Sequence, residues 1–320
     1  AGPFEQTGIK RNDNVERSAK AARARDTASA SSFASYPGNL NPVPPCGSSS
    51  ASITTASPGS RSTMKDTTQS SQAAVARKLA LYANVGPVLT RYDVDVEAAE
   101  LFARESVRVP AGVQYCWPHH TRRYLYVASS SGAPGNEQAG NAHHVTAFRI
   151  DATTGTLTQV GESMRLPFRP IHLTLDHDSR HILVAFNNPS ALRVYRINPD
   201  FTPGAEVPQA TMDAGIYAHQ VRMMPSGKAA ILVARGHDAK KDRPEDPGSL
   251  EVFSYAAGQL ARKASIAPNR GYGFGPRHID FHPSGRWLYA SLERQNKLYT
   301  YGLQADGTIS RDPLFMKDSL

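Results

Sequence analysis

Cysteine is scarce: Cys46 and Cys116, the only two in 320 residues, are too few and too far apart for a disulfide framework or a thiolate metal site. Cys116 lies in the apolar run VQYCWP and is expected to pack in a core. Runs of 18 or more apolar residues are missing altogether, which excludes a transmembrane helix and leaves no membrane partner to expect. The opening AGPFEQTGIKRNDNVERSAK has no apolar segment of the kind a secretory signal needs, so the expected compartment is the cytoplasm. Because the chain opens at Ala1 rather than Met, a removed leader and a periplasmic location stand as the alternative. Helical periodicity is nearly absent; the one candidate is VEAAELFARES at 96–106, weighed as a short helix against a strand.

A basic stripe is also lacking. The net charge is +8, but seven basic and four acidic residues fall in 1–63, and the remainder are scattered without interleaved aromatics. Phosphate-backbone binding needs such a stripe, so no nucleic-acid partner is expected; a general attraction for a small anionic metabolite is. The eleven histidines, all between 119 and 282, invite a metal. However, the pairs His119-His120 and His143-His144 point to opposite faces if extended, and no HExxH spacing occurs, so no metal site is expected. His177 and His282, beside strand-ending turns, read as turn hydrogen-bonders.

Residues 1–75 are rich in Ser, Ala, Thr, Gly and Pro, with aromatics only at Phe4, Phe33 and Tyr36. Such a segment cannot bury enough apolar surface to offset chain entropy, and a disordered tail is expected there, followed by one domain over 76–320. From Lys78 the texture is β: short apolar or alternating runs separated by turns such as TTG, PSG and ADG.

These runs repeat. LYANVG, LYVASS, ILVAFN, ILVARG and LYASLE align on Tyr82, Tyr126, Leu183, Leu232 and Tyr289. Each is followed by a second strand, aligning on Tyr92, Phe148, Tyr195, Phe253 and Tyr301. A strand ending in a turn precedes most pairs (VQYCWPHHTR, IHLTLDHDSR, HQVRMMPSGK, RHIDFHPSGR), and a further short strand follows. Four strands per repeat of about 50 residues is the arithmetic of a β-propeller blade, and the shared aromatic positions become packing between blades. Two hairpins are longer than the rest: SSSGAPGNEQAGN and GHDAKKDRPEDPG are polar, Gly- and Pro-rich, and read as excursions on one face of the disc.

The runs HVTAFRID, RPIHLTLDHDSRHILVAFNN, YAHQVRMMPSGKAAILVA and above all GFGPRHIDFHPSGRWLYASLE resemble the seven-bladed β-propeller lactonases, a family that includes propeller-type 6-phosphogluconolactonases and 3-carboxy-cis,cis-muconate lactonizing enzymes. The resemblance covers roughly residues 78–320. It implies an all-β propeller of four-stranded blades, five visible here of an expected seven, so that a fragment is expected. Matched motif by motif, the family's His, Arg and Glu at the channel mouth fall on His219, Arg277 and Glu293; a further basic residue of that site would lie past Leu320.

Aligning the turns places His219 in register with Arg277, while His172, Gln220 and His278 share the next position and are expected to contact substrate. Opening a lactone with water needs a base near neutrality, which His219 supplies, and a cation where charge develops on the carbonyl oxygen, which Arg277 supplies. Glu293 would orient the His or protonate the leaving alkoxide, or else pair with Arg294 or Lys297 on the surface. The leading expectation is therefore a lactonase for a small anionic sugar lactone, without metal or organic cofactor. A muconate-type lactonizing cycloisomerase and a non-catalytic ligand- or protein-binding propeller are the alternatives.

Overall fold

The computed structural model describes residues 79–132, 139–304 and 306–319; the tail expected over 1–75 lies outside them. Five antiparallel sheets follow one another along the chain. The first has three strands, β1 (Leu79–Val85), β2 (Val88–Asp95) and β3 (Glu100–Arg108). The second runs β4 (Gly112–Pro118), β5 (Tyr124–Ser130), β6 (His143–Ile150) and β7 (Leu157–Arg165). The third runs β8 (Pro170–Leu175), β9 (His181–Asn187), β10 (Ser190–Ile197) and β11 (Pro203–Glu206). In the fourth come β12 (Ala218–Met223), β13 (Ala229–Ala234), β14 (Ser249–Ala256) and β15 (Gln259–Ile266). The fifth closes with β16 (Pro276–Phe281), β17 (Trp287–Leu292), β18 (Lys297–Gly302) and β19 (Phe315–Asp318). These are propeller blades, and β4, β8, β12 and β16 are their inner strands.

No single core exists; four apolar clusters lie one between each successive pair of blades. The alternation along the second strand of each blade explains this. Leu125 and Val127 face the first blade, whereas Tyr126 and Ala128 face the third. Ile182 and Val184 face the second, and Leu183 and Ala185 the fourth. Successive side chains point to opposite faces, so a strand covered on both reads as an unbroken apolar run. Burying each large side chain, such as Tyr126, Phe148, Phe253 or Tyr301, contributes roughly 2 kcal/mol.

A second device locks blade to blade. A residue at the start of the second strand meets the outer turn of the following blade: Ala80 meets Gly155, His181 meets Gly258, and Ala229 meets Gly307. Between the second and third blades two rings replace this contact, Tyr124 stacking on Phe201 at 4.0 Å. Repeat tyrosines reinforce it, Tyr82 donating to the Gly155 carbonyl at 2.6 Å and Tyr126 to that of Phe201 at 2.9 Å. His181 is fixed by Asp176, whose carboxylate accepts from its Nδ1 (2.9 Å) and from the Tyr255 hydroxyl of the next blade (2.7 Å). Trp287, at this position in the fifth blade, is half-buried.

Two readings from sequence are corrected. The stretch 96–106 is the turn and outer strand β3, because an exposed outer strand carries no buried face to impose period-two alternation. In the fourth repeat the position equivalent to Tyr126, Leu183 and Tyr289 is Ile231 rather than Leu232, since Ile231 is the residue that pairs one step beyond Ala230, the partner of Phe253. In ILVA every residue is apolar and buried, so nothing in the pattern marks the register.

The blade lock predicts unequal costs for two glycines that both have positive φ. A Cβ at Gly258 would stand 2.7 Å from the tethered His181 ring, whereas one at Gly273 would meet nothing within 4 Å. We expect Gly258→Ala to lower stability to denaturant by roughly 2–4 kcal/mol and Gly273→Ala by roughly 1 kcal/mol. Equal losses would mean that the turn does not bear on the neighbouring blade.

Candidate functional site

Every inner strand carries a β-bulge at the same place. Pairing skips from Val113 to Tyr115, from Pro170 to His172, from Ala218 to Gln220 and from Pro276 to His278. The extra residues are Gln114, Ile171, His219 and Arg277. A bulge bends its strand and re-aims the unpaired side chain; Ile171 packs against the apolar cluster between the third and fourth blades. His219 and Arg277, on adjacent blades, line a single cavity of about 280 Å³. Gln114 accepts a hydrogen bond from the buried Arg169 at 2.7 Å.

The next position along the inner strands holds Tyr115, His172, Gln220 and His278. His172 is fully buried, its ring centroid 3.6 Å from that of Tyr115, with both ring nitrogens lacking a hydrogen-bond partner. Gln220 is buried, and its Oε1 accepts from the Ile279 amide at 2.6 Å. These two expected substrate contacts are therefore placed in the packing and not in the cavity wall. His278 stands beside His219, ring centroids 5.0 Å apart and nearly perpendicular. Further along β12, Arg222 lies over Trp117 (4.9 Å) and Phe281 (5.6 Å), pairs with Asp280, and borders a second cavity of about 400 Å³.

Glu293 joins neither His219 nor Arg294 nor Lys297. Its Oε1 accepts from Arg277 Nη1 at 2.6 Å and its Oε2 from Arg235 Nε at 2.5 Å. Arg235 occupies in the fourth blade the place of Glu293 in the fifth: their amides donate to the carbonyls of Tyr217 and Gly275, each the residue just before its own inner strand. From there an alternating chain of charges continues. Arg235 donates to Asp238 (2.8 Å), which also accepts from Arg294 (2.7 Å), and Arg294 donates to Glu245 (2.5 Å). Asp238 and Glu245 belong to the long β13–β14 connection, 235–248, so this chain ties it to the fifth blade.

Charge and burial set the protonation states. Burial, then the positive charges of His278, Arg277, Arg235 and Arg169, hold His219 well below the ordinary imidazole range, leaving a neutral ring whose Nδ1 is buried without a partner. At Glu293 burial pushes upward, but the hydrogen bond from Arg235 and the charge of Arg277 outweigh it, and the carboxyl stays below its usual value. The site thus presents a neutral base beside a guanidinium gripped by a carboxylate.

Sequence reasoning missed Arg235, His237, Asp238, Lys240, Arg243 and Tyr217, which complete the cavity wall. The length of the hairpin was the signal for most of them. Arg235 was hidden by the one-residue slip that aligned it with Leu292 instead of Glu293. The histidine pair His119-His120 needs correction too: its rings lie 4.4 Å apart because residues 119–122 form a turn, not extended chain. Among the described residues no three His, Cys, Asp or Glu side chains converge as metal ligands would.

The sequence profile described as "Lactonase, 7-bladed beta-propeller" matches residues 80–312. A 6-phosphogluconolactonase of Cronobacter sakazakii is 30% identical over 203 residues, 62% of this chain and 52% of that protein. One of Pectobacterium atrosepticum is 28% identical over 201 residues, 63% and 54% of the two chains. The chain therefore spans about half the length of the curated relatives it matches. Among solved structures, the periplasmic gluconolactonase PpgL of Pseudomonas aeruginosa superposes with a TM-score of 0.53 at 19% identity, covering 72% of this chain and 64% of that one, a likeness of fold.

The electrostatic account of His219 is checked by histidine-selective NMR titration. Its midpoint is expected below 6.5, and Arg277→Met is expected to raise it while leaving it below 6.5, because burial is the larger cause. A midpoint unmoved by the substitution would show that the guanidinium does not act on the imidazole.

Proposed function

This chain belongs to the seven-bladed β-propeller lactonase family, and from that premise we propose that it opens the ring of a small anionic sugar lactone with water, as a 6-phosphogluconolactonase does. The observation that carries the reading is the convergence of two bulge residues, His219 and Arg277, on one cavity. We propose a cytoplasmic setting and a free metabolite as partner.

In this mechanism a water molecule attacks the lactone carbonyl carbon while neutral His219 takes its proton. The carbonyl oxygen gains negative charge as the tetrahedral species forms, and Arg277, fixed by Glu293, donates hydrogen bonds to it. Collapse restores the C=O bond and breaks the bond to the ring oxygen, which receives the proton back from His219. The low proton affinity of that imidazole favours the return step. Glu293 acts on the arginines: a carboxyl held below its usual range is a poor proton donor but a firm anchor.

Base uptake at constant pH on 6-phosphogluconolactone tests the proposal. His219→Ala and Arg277→Ala are each expected to lower kcat/KM by about 10²- to 10⁴-fold. Unchanged turnover in both variants would remove the site. A neutral base with a depressed pKa loses function as pH falls, so the acid limb of kcat/KM is expected below pH 6.5 and rate is flat above it. An acid limb above 6.5 would exclude His219 as that base.

A further inference from the structure

We propose that the β13–β14 connection is a specificity arm in which Lys240 and Arg243 bind a terminal phosphate on the substrate. This deepens the lactonase reading and rests on it. The arm is closed by its own antiparallel bridge, Lys240 and Arg243 exchanging backbone hydrogen bonds of 2.9 and 3.1 Å across the two-residue turn Lys241-Asp242. Residues paired in this way carry their side chains on the same side, and both side chains line the cavity that holds His219 and Arg277.

The arm is held independently of these two cations. His237 Nδ1 meets Asp246 at 2.8 Å, Arg294 grips Glu245 at 2.5 Å, and the Asp246 amide donates to the His237 carbonyl at 3.0 Å. Of its four acidic residues, Asp238, Glu245 and Asp246 are already engaged, and the fourth, Asp242, is exposed in the turn itself. Lys240 and Arg243 pair with no carboxylate among the described residues, and Arg243 Nε is buried with no acceptor. A buried donor left unsatisfied is costly, so the arrangement calls for an acceptor supplied from outside. A phosphate, with several lone pairs and up to two charges, satisfies a guanidinium fork and an ammonium together. Arg277 is committed to Glu293 and the reacting carbonyl; the arm supplies the second cationic pole, matching a substrate with a lactone at one end and a phosphate at the other.

The test compares the full chain with the Lys240→Ala/Arg243→Ala variant on 6-phosphogluconolactone and on unphosphorylated gluconolactone. Loss of about 10²-fold in kcat/KM through KM on the phosphorylated lactone, with less than about threefold change on the other, is expected. An equal fall on both, or no fall on either, overturns the arm's role. Calorimetric titration with inorganic phosphate, which needs no turnover, is expected to show binding that the variant loses. Phosphate bound at the arm by a chain that hydrolyses neither lactone would leave this site standing and remove the lactonase reading. Lactone hydrolysis with phosphate binding and preference intact in the variant would do the reverse. Malonate held as tightly as phosphate would overturn the assignment to phosphate. Should the double variant fail to fold, Lys240→Gln/Arg243→Gln, which keeps side-chain length, carries the same expectations.

Discussion

A β-sheet that is apolar on both faces must be covered twice, and this requirement organises the molecule. The second strand of each blade alternates between two different interfaces, Tyr126 and Ala128 toward one neighbour, Leu125 and Val127 toward the other. Stability is therefore shared among successive interfaces, as in other repeat architectures. Local contacts set the spacing. The outer turn of one blade seats against the start of the preceding blade's second strand, and the Asp176–His181–Tyr255 cluster adds hydrogen bonds at one of these seams. Radial stacking of this kind brings the inner strands around one axis.

The proposed function grows from a defect repeated along the inner strands. Each complete blade lets its inner strand slip by one residue at the same place, leaving one residue there unpaired. Two blades fill that place with Gln114 and Ile171, two with His219 and Arg277. The scaffold thus offers the same position several times, and the residue installed decides whether it packs or lines the cavity. Burial then tunes what is installed: the buried imidazole of His219, with cations around it, stays neutral, while Glu293 stays ionised between two arginines.

The insertion between β13 and β14 joins these two levels. It lengthens one hairpin without disturbing the interfaces that hold the blade, and its Asp238 and Glu245 are tied to arginines of the fourth and fifth blades. A loop at this point is held firmly enough to shape a cavity yet is free to vary in the side chains it presents. The wall of the site is thus divided between strand ends, which carry the proposed chemistry, and the arm, which carries the proposed selectivity.

Local pattern determined much of this. Turn residues and alternating runs define strands, their recurrence defines blades, and turn alignment puts His219 in register with Arg277, the two bulge residues that line one cavity. Hairpin length alone identified the arm as an excursion, though not as a wall of the site. The register of ILVARG was not legible, because a run buried on both faces carries no polar marker of phase, and with it Arg235 was lost. Nor was the stretch 96–106, an outer strand without a buried face. Only the tertiary structure decided that Glu293 grips Arg277 and Arg235 instead of His219, and that His172 and Gln220 lie in the packing and not in the cavity wall. Those outcomes depend on distances between different blades and on which side a bulge turns a side chain, quantities that residue spacing along one chain does not contain.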